Sequence, residues 1–128
     1  MKKSKIINPA SNWTFWGKAE KEALKSGTEN FSVGDHIVFE NDEFRVWSIH
    51  LAPGHQLPFH KHTYRYFWSA LSSGTSRSWY SDGSVSETHY ESGDTVYFEK
   101  LSEENYFIHN LENTGDTQLI FLTVEFKN

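Results

Sequence analysis

The chain has 128 residues, a length that supports one hydrophobic core and one domain. Apolar residues make up only 37%, yet aromatics make up 16%, with ten Phe, six Tyr and five Trp; rings of that size fill a small core and favour strands over helices. A formal net charge of -5 without a basic cluster argues against nucleic acid, no apolar run reaches membrane-spanning length, and the absence of Cys excludes disulfides and thiolate metal sites.

Residues 1–30 differ from the rest and read as an N-terminal extension to a β domain over 31–128. Lys2, Lys3 and Lys5 form a basic start, but Ile6-Ile7 gives way at once to Asn8-Pro9, so no signal-peptide core follows and a cytoplasmic location is expected. Trp13-Thr14-Phe15-Trp16 carries too much apolar area to stay in water and is expected to pack on the barrel or on a second subunit. Lys18–Lys25 consists of good helix formers, with Gly27 as a C′ stop, which gives one short helix at most.

From Asp35 onward the pattern is strands separated by turn residues. His36–Phe39 and Phe44–Leu51 flank Asn41-Asp42-Glu43. Ala52-Pro53-Gly54 breaks the chain before a long run over Phe59–Leu71. Thr75–Tyr80 and Ser84–Tyr90 flank Ser81-Asp82-Gly83, and Asp-Gly is a strong hairpin signal. Thr95–Phe98, Asn105–His109 and Gln118–Phe126 complete about eight strands, the pattern of an antiparallel sandwich, jelly roll or barrel. In the last strand Ile120, Leu122, Val124 and Phe126 alternate on the face read as core, with Leu119 and Phe121 on the other. A strand apolar on both faces is expected to lie between the core and a partner chain, and a homodimer is expected.

His60-Lys61-His62 lies inside a β run, so both imidazoles share one face about 7 Å apart and are able to converge on one ion. Gly54 precedes His60 by five intervening residues and Gly74 closes the segment. Gly93 starts a strand that leads towards His109, with Asn113 and Gly115 beyond it. These two groups resemble the two signature motifs of the cupins, over about residues 44–126. The resemblance implies an all-β, antiparallel jelly-roll (double-stranded β-helix) barrel in which His60, His62 and His109 meet around one metal ion.

Two positions depart from that pattern. Tyr66 and Phe67 stand where the first motif normally supplies a Glu ligand, and the spacing from the Glu99–Leu101 region to His109 is longer than usual. Three neutral imidazoles without a carboxylate suit Fe, Zn, Ni or Cu better than Mg or Mn. Tyr66 shares parity with His60 and His62 and is the candidate catalytic hydrogen-bond donor. Gln56 on the loop after Pro53-Gly54, Arg77 on a strand, and Phe107, which shares parity with His109, are candidates for the substrate pocket. The function expected from the resemblance is a metal-dependent enzyme, an oxygenase, isomerase or decarboxylase acting on a small organic acid or amine. The alternative is a small-ligand-binding barrel that has lost its metal or keeps it structurally. A sugar-nucleotide epimerase would want basic residues in the barrel, and no clear set is present. No nucleophile elbow or phosphate-cradling glycine loop occurs.

Overall fold

The computed structural model describes residues 2–127. Its strands are β1 (Lys3–Asn8), β2 (His36–Glu40), β3 (Phe44–Leu51), β4 (Gln56–His62), β5 (Tyr66–Ala70), β6 (Gly74–Trp79), β7 (Val85–Tyr90), β8 (Thr95–Phe98), β9 (Phe107–Asn113) and β10 (Leu119–Phe126), with one α-helix, α1 (Lys18–Ser26). They form two five-stranded antiparallel sheets, ordered β1-β7-β6-β9-β4 and β2-β3-β10-β5-β8. No helix among the described residues is long and apolar enough to cross a membrane.

The run over 59–71 is two strands, not one: the chain leaves the first sheet after His62 and enters the second at Tyr66. β1 is an addition to the expected set. Four of its six residues are polar, and it forms by pairing with β7, from Lys3 opposite His89 to Ile6 opposite Ser86. The Gly at the head of each signature motif, Gly54 and Gly93, has φ of +83° and +99°, and an added Cβ at either would meet nothing within 4 Å. These positions therefore require glycine for backbone conformation, not for space. Gly27 is the reverse. Its φ is −78°, so it does not end α1 in a left-handed turn; it is small because a Cβ there would stand 2.5 Å from the Cβ of Phe59.

Two apolar clusters hold the fold. One lies between the sheets at one end of the barrel and includes Ile49, Leu51, Leu57, Ala70, Leu119 and Phe121. The other lies on the outer face of the first sheet, where Trp16 covers Phe59, Val85 and Ile108, and Ile7, Leu24 and Trp79 pack against it. Trp16 also donates its indole N–H to the carbonyl of Gly83 at 2.9 Å. The N-terminal segment caps the free edge of β4 as well. The N–H of Lys61 donates to the carbonyl of Asn30 at 2.7 Å, and the Asn30 side chain donates to the carbonyl of Phe59 at 2.9 Å. An edge strand is thereby closed without another strand.

The faces of β10 are the reverse of the sequence expectation. Leu119, Phe121, Thr123 and Glu125 are buried towards the barrel interior, and Ile120, Leu122, Val124 and Phe126 are half-buried on its outside. Alternation sets the period of a strand but not its inward face, and here polar residues point inward because the barrel is hollow beneath them. Glu125 is held there by the Trp47 indole N–H at 2.6 Å and by Arg45 at 3.5 Å.

Trp16→Ala removes the centre of the outer cluster and a buried hydrogen bond. It is expected to lower unfolding stability by about 3–5 kcal/mol, read from the urea midpoint at constant slope; a loss below about 1 kcal/mol would show that the N-terminal layer is not part of the core.

Candidate metal centre

His60 and His62 come from β4 and His109 from β9, and the register sets His60 opposite His109. A β-bulge between Leu57 and His60 aims the first two. Leu57 points inward, Phe59 turns outward into the Trp16 cluster and His60 turns inward again. The bulge contains Pro58, which has no N–H to give to a ladder, and its carbonyl accepts the His60 Nδ1–H at 2.7 Å. That bond fixes the His60 tautomer and leaves Nε2 as the free lone pair.

One ligand atom from each of the three imidazoles lies within 4.8 Å of the others. The Nε2 atoms of His62 and His109 are 3.3 Å apart, about the edge of a tetrahedron whose centre makes bonds of about 2.0–2.1 Å. The Nδ1 atoms of both residues are buried without a hydrogen-bond partner. Leaving such groups unsatisfied costs about 1–3 kcal/mol each; the nitrogens that converge are the other set, since His62 and His109 meet through Nε2, and a convergent set of neutral imidazole nitrogens is what a transition-metal ion fits. Burial pushes the His60 imidazolium pKa down to about 4, against the opposing pull of the Pro58 carbonyl. Burial, and then the neighbouring imidazoles, hold His62 and His109 well below the usual value. All three are neutral at pH 7, the form that binds metal.

These imidazoles line a cavity of about 490 Å³, within the range of about 300–1,000 Å³ common for small-molecule sites. Tyr66 enters from the second sheet and lays its ring on His62, with centroids 4.1 Å apart and planes 12° apart. Phe98 stacks on the other side of Tyr66 at 4.8 Å. The Tyr66 ring thus covers an imidazole face where the family's Glu would be expected. Burial raises its pKa well above the usual phenol range, reinforced by Tyr80 and Tyr90, so it keeps its proton. Phe107 is also in the wall, 4.9 Å from both His62 and His109.

Gln56 and Arg77 are not in the cavity lining. Gln56 is exposed and pairs in register with Glu112, which also faces Arg77; Arg77 is bonded to Glu87 at 3.0 Å. The bulge is the physical reason for Gln56, since it shifts β4 by one residue between Leu57 and His60. For Arg77 the reason is parity, because Ser76 and Ser78 occupy the inward positions of β6. Among the other aromatics, Trp68 lines the cavity, Phe59 and Trp79 belong to the outer cluster, and Tyr64 and Tyr97 are exposed. Asn113, the Asn of the second motif, organises the turn before β10. It donates to the carbonyls of Leu51 and Thr117 at 2.9 and 2.8 Å and accepts from the Gly115 N–H.

Sequence reasoning missed Tyr80, which bridges to His109 just beyond the end of β6, with ring centroids 5.1 Å apart. It also missed the inward hydroxyls of β6 and β7. The available signal was the alternation Ser84-Val85-Ser86-Glu87-Thr88, whose small polar residues all share one face.

No protein-family model matches the chain, and no curated protein matches it in sequence. Solved structures do. A cupin domain from Bordetella pertussis Tohama I is similar at 22% identity and TM-score 0.62, covering 73% of this chain and 91% of that one. A double-stranded β-helix protein from Klebsiella pneumoniae is similar at 22% identity and TM-score 0.55, covering 79% and 84%. An oxalate decarboxylase from Bacillus subtilis, a protein with Mn(II) centres, is similar at 26% identity and TM-score 0.50; the match covers 65% of this chain but 21% of that one. The fold is therefore that of the cupins, a double-stranded β-helix.

The sign of the pH dependence follows from the depressed imidazoles. Unfolded, each histidine takes a proton below about pH 6.5; folded, His60 does so only near 4 and the other two lower than usual. The unfolded state binds more protons throughout that window, so metal-free protein is expected to lose stability as pH falls from about 6.5 towards 4. The His60→Phe variant is expected to show a shallower slope in denaturant titrations, and an equal slope would contradict the burial of a neutral His60.

Proposed function

We propose that the protein is a metal-dependent cupin enzyme that holds one divalent transition metal through His60, His62 and His109 and acts on a small organic molecule. The observation that carries this reading is the convergence of three neutral imidazoles, two buried and one half-buried, with one ring nitrogen of each within 4.8 Å of the others. The donor set favours Fe, Zn, Ni or Cu, because no carboxylate accompanies the imidazoles in the cluster. Such an ion, when bound, supplies Lewis acidity and, if redox-active, oxygen activation, which spans the isomerase, decarboxylase and oxygenase classes. The likeness to a decarboxylase with Mn(II) centres supports a metal in this barrel and leaves the reaction to be chosen among those classes.

The remaining roles fall to the chain's own residues. The Pro58 carbonyl holds the His60 ring in one tautomer. Tyr66, kept protonated by burial, is a donor of a hydrogen bond or proton to a substrate oxygen beside His62. Phe98 and Phe107 exclude water from that side of the cavity.

Metal analysis tests the reading directly. Protein purified without a histidine tag is expected to carry near-stoichiometric metal, and His60→Ala/His62→Ala to carry none. Saturation of metal-free protein at about 100 times Kd is expected to add about 2.7 kcal/mol of stability. Failure to take up Fe, Ni, Cu or Zn would leave the alternative, a barrel that binds a small ligand without metal.

A further inference from the structure

Across the first sheet, away from the metal centre, the inward side chains change from imidazole to hydroxyl. Tyr80 stands beside His109, Ser78 opposite Ser86 and Ser76 opposite Thr88, and Thr88 opposite Ser4 on β1. With neighbouring strands about 4.8 Å apart, the hydroxyls of β6 and β7 stand about 5 and 10 Å from the strand that carries His109. Ser78, Ser84, Ser86, Thr88 and Ser4 all line the same cavity as the histidines.

These hydroxyls bond mainly to one another. Ser4 and Thr88 are 2.8 Å apart and Ser76 and the Tyr90 phenol 2.9 Å apart, while Ser84 donates to the Asp82 carboxylate at 2.6 Å. Two hydroxyls carry two donors and four lone pairs, so one mutual bond leaves one donor and three acceptor sites. The wall therefore keeps spare capacity of both kinds, and its bonds reverse direction at little cost. Ligand hydroxyls, which also donate and accept, match that property. A phosphate, which at neutral pH mainly accepts and carries full charge, does not. The only lysine or arginine in the cavity lining among the described residues is Lys2, exposed at the rim. Facing the hydroxyls from the second sheet, Trp68 and Phe98 offer ring surface to the C–H face of a ligand.

We propose that the cavity takes a polyhydroxylated small molecule, a sugar or sugar acid of five or six carbons without phosphate. One end meets the three-histidine centre and the hydroxylated tail lies along β6 and β7. The placement of the first end rests on the metal-centre reading; the hydroxyl wall stands on its own register.

Calorimetric titration of the zinc-loaded protein with pentoses, hexoses and their aldonic acids, beside hexanoate and adipate, tests this. At least one hydroxylated probe is expected to bind ten-fold or more tightly than the unhydroxylated acids. Ser86→Ala/Thr88→Val is expected to weaken it by about ten-fold with metal content unchanged, and Thr88→Ser to retain affinity. Equal or tighter binding of hexanoate or adipate, no binding by any sugar or aldonic acid, or an unaffected double variant would overturn the proposal. The same titrations on metal-free protein separate the two readings. Selectivity for hydroxylated probes in a protein that takes up no metal would sink the metal centre and keep the wall, whereas bound metal without that selectivity would sink the wall alone.

Discussion

The packing of Trp16 on Phe59, Val85 and Ile108 is the contact on which the remainder depends. It gives the first sheet an apolar core on its outside. A small barrel whose only core lay between its sheets would have to fill that space with apolar side chains. Here part of the burial is moved to the outer face, and the interior at one end is free to be hollow and polar. Gly27 permits the close approach to Phe59, and Asn30 completes the hydrogen bonding of the β4 edge.

The same contact sets the chemistry. Phe59 is drawn outward and His60 faces inward across one bulge, so the residue that anchors the N-terminal layer directly precedes the residue that opens the metal centre. The Pro58 carbonyl, released from the ladder by that bulge, becomes the partner that orients His60. On β7, Val85 is fully buried on the outside while Ser86 and Thr88 look into the cavity. Outer packing and inner polarity are two sides of the same strands.

That arrangement explains how far the sequence was legible. His60, His62 and His109 stood out because their spacing and the motif glycines carry a backbone requirement visible in the text, and Gly54 and Gly93 do have positive φ. Turn residues placed β2, β3 and β8 within a residue of their observed bounds. The inward faces were less legible, since period-two alternation is symmetric and only tertiary packing says which side is wet. The faces of β10 came out reversed for this reason. Gln56 was misplaced because a bulge leaves no mark beyond one proline. β1 was missed because its pairing partner lies about 80 residues away and its own propensity is slight.

The most direct test of the metal centre is X-ray absorption at the zinc edge of protein loaded with one equivalent of Zn(II). Three imidazole nitrogens at about 2.0–2.1 Å, with the remaining shell completed by water or another light oxygen donor, is the predicted spectrum. A first shell with one imidazole or none, or one dominated by carboxylate oxygens, would contradict a centre built from His60, His62 and His109.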